Sequence, residues 1–224
     1  QMVTEYITGR GQVEILLNDE VQEFIGNEQN EVVKVITKSG KIIETDFVVL
    51  GTGIKPNTEF LEGSGIKLSI KNSIKVDTTM RTSNHNIYAV GDCTDNFNLV
   101  TNRHVWTPMG STANKEGRCC AVNVCGEAED FEGVLGSAVT KYFGLTVSMT
   151  GFTEKFAKKH GYDTVSVTIT KRDKAGYMPD VENVTLKLVA DKRTHQMLGG
   201  QAIGCGDADK RINNFFVSLL SLFF

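Results

Sequence analysis

The segment RCCAVNVCGE, Arg118 to Glu127, holds Cys119, Cys120 and Cys125 of the chain's five cysteines. Thiols placed close together can carry disulfide exchange. Cys120 and Cys125 stand five apart. In a straight α-helix that spacing puts them more than about 7 Å from each other on different faces, so a bridge needs a distorted helix. Cys93 and Cys205 add no CxxC…CxxC spacing of a zinc site. The four histidines (85, 104, 160 and 195) are scattered without metal-ligand spacing and read mainly as surface residues. No metal site is expected.

Other residues could hold a ligand. Asp92 follows Gly91 at the end of the apolar run IYAV. A carboxylate there can accept hydrogen bonds from a hydroxyl-rich ligand that comes close to the backbone. An Asx turn or a helix cap is the plain alternative. Met109, Gly110, Ser111 and Thr112 open a helical stretch whose free amides and positive end favour negative charge. Ser111 or Thr112 is placed to cap it. Gly51, Thr52, Gly53 and Ile54 close the run FVVL and form either a ligand-facing loop or an ordinary tight turn. Tyr177, in KAGYMPD, reads as a loop tyrosine for substrate chemistry or for an interface.

The elements that position these residues follow from periodicity. Residues 11–51 alternate as a β-meander: Val13, Ile15 and Leu17, then Val21 and Ile25, then VVKVIT, a turn over 38–41, and IIETD. FVVLGTG and, later, IYAVGD each read as a short buried strand whose end opens onto a crevice. SIKVD, residues 73–77, reads as extended, and residues 94–109, with the single Trp106, show no clear period. STANKEGRCCAVNVCG predicts a helix that Gly126 closes. Beyond about residue 131, LTVSMTGF, YDTVSVTIT, NVTLKLVAD and HQMLGGQAIG predict strands, TEKFAKKHG a short helix, and residues 207–224 an apolar helix. An antiparallel sheet packed with helices is the simplest product.

The 224 residues suffice to bury a core. A net charge of −3 with no basic cluster argues against nucleic acid or an anionic membrane as partner. The terminal run FFVSLLSLFF is too short to span a bilayer. The odd cysteine count fits a reducing, cytoplasmic setting. The start at Gln1 and the stop inside an apolar run suggest a piece of a larger polypeptide, truncated within its last domain.

Four segments, TDFVVLGTGIKPN, TSNHNIYAVGDC, TPMGSTANKEGR and FEGVLGSAVTKYFGLTVSMTGFTEKFAKKHG, occur in an order and spacing that resemble the C-terminal half of the pyridine nucleotide-disulfide oxidoreductases. The branch they resemble most holds NADH oxidases, NADH peroxidases and coenzyme A-disulfide reductases. The resemblance implies an α/β protein with an α+β C-terminal domain. Residues 1–77 would be the later part of an NAD(P)H-binding domain, 78–130 the returning part of an FAD-binding domain, and 131–224 a dimerisation domain.

The resemblance also implies roles. Gly91 and Asp92 would hold the ribityl chain of FAD, and Met109, Gly110, Ser111 and Thr112 would face the pyrimidine end of the flavin. Gly51, Thr52, Gly53 and Ile54 would lie beside the nicotinamide of NAD(P)H, and Tyr177 would reach the substrate side of a homodimer. The family's redox cysteine belongs upstream, on an early FAD-domain helix, and its two GxGxxG loops are not present here. RCCAVNVCGE matches a later helix, so its cysteines read as small packed side chains and not as the redox centre.

The expected function is part of an FAD-dependent NAD(P)H oxidoreductase acting on a small-molecule acceptor: a disulfide such as that of coenzyme A, a peroxide, oxygen or sulfur. The piece itself is expected to be inactive. A standalone dimerising module descended from such an enzyme is the alternative. Part of the surface of the phenylalanine-rich last helix reads as dimer interface.

Overall fold

The computed structural model describes residues 2–11 and 13–221. The chain divides into two compact units, with the division after Ile54. The first unit holds helix α1 (Met2–Thr8) and the antiparallel sheet β1 (Val21–Gly26), β2 (Val32–Thr37) and β3 (Ile42–Glu44) in sequential order. The turn over 38–41 closes β2 onto β3. The Thr37 amide donates to the Lys41 carbonyl at 3.0 Å, and Gly40 sits at φ +86°, a left-handed conformation glycine takes without strain.

Two expectations fail in this unit. Val13, Ile15 and Leu17 form no strand, and neither does FVVL. Phe47, Val49 and Leu50 are 75%, 82% and 67% exposed. A strand buried on both faces needs paired neighbours and a layer over each face. The described residues of this unit offer FVVL neither.

The second unit, from Lys55, carries a hairpin of β4 (Asn96–Asn98) and β5 (Arg103–Val105), helix α2 (Gly110–Val124), and strand β6 (Ala138–Tyr142). It continues with β7 (Leu145–Gly151), α3 (Glu154–Lys159), β8 (Thr164–Arg172), β9 (Asn183–Asp191), β10 (Met197–Gly204) and α4 (Ala208–Leu220). The hairpin falls where no period was legible. IYAV forms no strand: Tyr88 makes one isolated bridge to Arg81, and Tyr88, Ala89 and Val90 pack half-buried against Ile74, Val76, Met80 and Cys119. SIKVD is extended as read, Ile74 bridging both Leu68 and Thr94.

Strands β6 to β10 form one antiparallel sheet in the order β6-β7-β10-β9-β8. Leu198, Val189 and Leu219 join Leu99, Val100, Leu135, Phe152 and Ala157 in one core, so the loop after β4 and the five-stranded sheet share buried apolar surface. Val184, Ala202, Ala208 and Ile212 make a second cluster under α4. At the end of β7, Gly151 (φ +65°) faces Gly199 of β10 so closely that a Cβ on Gly199 would lie 2.3 Å from the Phe152 amide nitrogen. Helix α3 is capped by Thr153, whose hydroxyl accepts the Phe156 amide at 3.2 Å, and is closed by Gly161 at φ +87°. The phenylalanine-rich helix α4 forms as read, although Phe223 and Phe224 of that reading lie outside the described residues.

Candidate functional site

Helix α2 begins at Gly110 because Met109 before it is in extended backbone, and the Met109 carbonyl accepts the amides of Thr112 and Ala113 at 2.9 and 3.0 Å. No side chain caps it. Ser111 and Thr112 stand inside the first turn, too far along to act as the N-cap expected of them, which is Met109. The leading amides of Gly110 and Ser111 therefore have no intrahelical acceptor and point out of the helix end. Gly110 and Ser111 are exposed, and a Cβ on Gly110 would meet nothing within 4 Å.

Gly91 and Asp92 sit directly against this helix. Gly91 takes φ +90°, and a Cβ placed on it would touch the Ala113 Cβ at 3.8 Å. Its left-handed conformation turns the chain so that Asp92 is exposed and Thr94 goes inward. The Thr94 amide donates to the Gly91 carbonyl at 3.0 Å and closes the turn. The Trp106 indole N–H donates to the Asp92 carbonyl at 2.8 Å, and Lys71 Nζ stands 4.9 Å from the centre of the Trp106 ring.

Glu116, one turn into α2, is fully buried and ties these pieces together. One carboxylate oxygen accepts the Gly91 amide at 2.6 Å and the Thr94 hydroxyl at 3.2 Å, and the other accepts the Asn96 side-chain amide. Burial pushes the Glu116 carboxyl above the usual range, and the hydrogen bonds from Gly91, Asn96 and Thr94 pull the other way. Burial outweighs these donors, so the folded state holds the Glu116 proton more tightly than water does.

Neither Glu116 nor Trp106 was singled out as a site residue. Glu116 was detectable as an acid at helical spacing between Ala113 and Cys119, on a face otherwise small and apolar. The indole's reach from Trp106 back to Asp92 is a tertiary contact with no sequence signal.

The remaining candidates lie elsewhere. Gly51, Thr52, Gly53 and Ile54 are exposed at the end of the first unit, with Gly53 at φ +94°. Tyr177 is 91% exposed in the loop between β8 and β9. Among the described residues no disulfide joins the cysteines. Cys119 is buried, its thiol directed at the Thr78 and Glu129 carbonyls, Cys120 is half-buried and Cys125 is exposed, so the two five apart occupy different surroundings. Burial pushes the thiols of Cys93, Cys119 and Cys120 upward, away from nucleophilic thiolate. Two histidines depart from the surface reading. His104 meets buried Asp95, and His160 stacks on Phe156 at 4.1 Å between ring centres. Among the described residues no group of His, Cys, Asp or Glu could hold a metal ion, and no helix is long and apolar enough to cross a membrane.

An open helix end, a turn that presents a free carboxylate and a buried glutamate joining them can hold a ligand carrying hydroxyls and partial negative charge. Residues 1–106 match the family model "Pyridine nucleotide-disulphide oxidoreductase", and residues 137–220 match its dimerisation domain. The NAD(P)H sulfur oxidoreductase (CoA-dependent) of Pyrococcus furiosus is 36% identical over 195 residues, covering 87% of this chain and 43% of that protein. The coenzyme A disulfide reductase of Staphylococcus aureus is 30% identical over 206 residues, covering 92% and 45%. The structure of an NAD-dependent persulfide reductase from A. fulgidus superposes with a TM-score of 0.91 at 34% identity, over 98% of this chain and 40% of that one. The chain thus spans less than half the length of each of these relatives.

Proposed function

This chain belongs to the pyridine nucleotide-disulphide oxidoreductases, and on that premise we propose that it is the C-terminal half of an FAD-dependent NAD(P)H oxidoreductase. In this reading residues 1–77 complete the nicotinamide domain, 78–130 the flavin domain, and 131–224 form the dimerising domain of a homodimer. The observation that carries it is the joint placement of the Gly91–Asp92 turn and the uncapped start of α2.

FAD, when bound, supplies hydride acceptance from NAD(P)H and delivery of electrons to a cysteine-linked acceptor of the disulfide, peroxide, oxygen or sulfur class. The chain's own residues bind and orient. The Asp92 carboxylate accepts hydrogen bonds from ligand hydroxyls, a charge-assisted contact. The Gly110 and Ser111 amides, with the positive end of α2, stabilise negative charge that grows on a ring placed before them. Glu116 holds the Gly91 amide, so the turn and the helix end keep a fixed relation, and Trp106 fixes the Asp92 backbone from the other side. Gly51 to Ile54 form the nicotinamide-side loop, and Tyr177 positions or protonates the acceptor from the dimer's substrate side.

The fit rests on an exposed carboxylate and a helix start that no side chain closes. The activity requires phosphate-binding loops and a redox cysteine that residues 1–224 do not supply. The test is to read the coding sequence upstream of residue 1. Two GxGxxG loops, with a cysteine on a helix soon after the first, are expected. A start codon immediately before Gln1 would overturn the reading.

A further inference from the structure

On another part of the second unit, Lys67, Lys75, Arg81, His104, Phe97 and Phe131 line a cavity of about 520 Å³. Its electrostatics are unbalanced. The bridge Leu68↔Ile74 is antiparallel, and the Lys75 amide donates to the Lys67 carbonyl at 3.1 Å, so these two lysines stand directly opposite each other. Like charges facing each other across a strand pair are destabilising. Neither lysine forms an ion pair among the described residues. Arg81 spends its Nε–H on the Tyr88 hydroxyl at 2.8 Å and keeps its terminal nitrogens.

The two acids of the cavity, Asp77 and Asp95, leave one positive charge in excess, and neither forms an ion pair with the lysines or Arg81 among the described residues. One oxygen of Asp77 accepts the Thr79 and Arg81 amides and the Thr79 hydroxyl, closing its own turn. The Asp95 side chain is fully buried. One of its oxygens accepts the Val76 amide at 3.2 Å, and the other lies 2.8 Å from His104 Nδ1. Despite that contact neither atom has a hydrogen-bond partner among the described residues, and His104 lines the cavity. Phe97 sets the ring edge-on at 5.9 Å. A buried carboxylate thus lies against one imidazole beside three cations that form no ion pair among the described residues, Arg81 also lying 5.3 Å over the Tyr88 ring, and two aromatic rings supply an apolar wall.

We propose that this cavity binds a small organic phosphate, its dianion between Lys67, Lys75 and Arg81 and its apolar part against Phe97 and Phe131. A dianion relieves the facing lysines more fully than a carboxylate does, and the phenylalanines favour an ester over free phosphate. The site does not rest on the flavin reading, since Lys67, Lys75 and Arg81 take no part in that reading.

The experiment is calorimetric titration of the polypeptide purified from the complete coding sequence with phenyl phosphate and, separately, with inorganic phosphate, repeated on the double variant Lys67→Ala, Lys75→Ala. Phenyl phosphate is expected to bind saturably, more tightly than inorganic phosphate, and roughly tenfold or more weaker in the double variant. Both lysines are exposed and unpaired, so the variant's melting temperature is expected not to fall, and a fall would be met by repeating the titration on Lys75→Gln alone. Absence of saturable binding, equal affinity in the variants, or inorganic phosphate binding as tightly as the ester would each overturn the proposal.

Discussion

Glu116 shows how one side chain can fix a site it does not line. Its carboxylate receives donors from the Gly91 backbone, Thr94 and Asn96, three positions that would otherwise share only a turn. Glu116→Gln keeps the shape but places an amide N–H₂ against at least one of those donors. Leaving a buried donor unmatched is expected to cost about 1–3 kcal/mol, measured by denaturant unfolding at neutral pH. The pH dependence has a definite sign. Because burial raises this carboxyl above the ordinary 4.5, the folded state holds the proton longer than the unfolded chain. Glu116 therefore adds most to stability below 4.5, and that contribution is lost as pH rises through the elevated value. Stability curves of wild type and Glu116→Gln should diverge across that window, and parallel curves would refute the assignment.

At the scale of elements, α3 is tied to the sheet by one acid. Glu154 pairs with Lys158 and Lys187, both at 2.6 Å, and accepts the Ser166 hydroxyl at 2.8 Å. Those bonds, Lys158 first, lower its carboxyl from 4.5 to about 2. The sign is opposite to that of Glu116: its contribution is present above 4.5 and is lost as pH falls through about 2. Acid titration followed by circular dichroism should show a shallower loss of stability in Glu154→Gln than in wild type over that range. The contact of β7 with β10 is steric. Gly199→Ala would push a methyl group onto the Phe152 backbone, and a destabilisation of about 1–3 kcal/mol is expected by thermal unfolding.

Legibility at this scale followed partners. The alternation of β8 and β9 and the runs of β7 and β10 were readable because each of these strands pairs with neighbours in its own sheet. FVVL and IYAV carry equally strong apolar signals, yet a strand is a pairing, and among the described residues neither run finds a strand beside it. The β4–β5 hairpin had no period because its buried positions are Asn96 and Asn98, polar residues held by side-chain hydrogen bonds. Ser111 and Thr112 were readable as helix-start residues, but the exact cap depends on where the chain leaves extended backbone, which was Met109. Asp92 and the α2 terminus were named from local pattern. That Gly91 packs on Ala113 is a contact between residues far apart in sequence, and only the fold supplies it.

For the whole molecule, the second unit leaves apolar surface uncovered along β8. Val165, Val167 and Ile169 are 50%, 54% and 47% exposed, opposite Ala190, Leu188 and Leu186 of β9. Scattered apolar residues are ordinary, but a contiguous strip on an edge strand invites a partner. The homodimer proposed above, through residues that match the family's dimerisation domain, would cover it. Val167→Asp should shift sedimentation from dimer to monomer while leaving circular dichroism unchanged, and a dimer that persists would place the interface elsewhere.

FAD retention by the proposed enzyme hinges on Asp92 and the α2 terminus. Its most direct measurement is the flavin content of the polypeptide purified from the complete coding sequence, wild type beside Asp92→Ala. Wild type is expected to retain stoichiometric FAD, and the variant, with an exposed carboxylate removed and the fold intact, is expected to lose most of it. Flavin-free wild type, or a variant that keeps its flavin in full, would contradict the account.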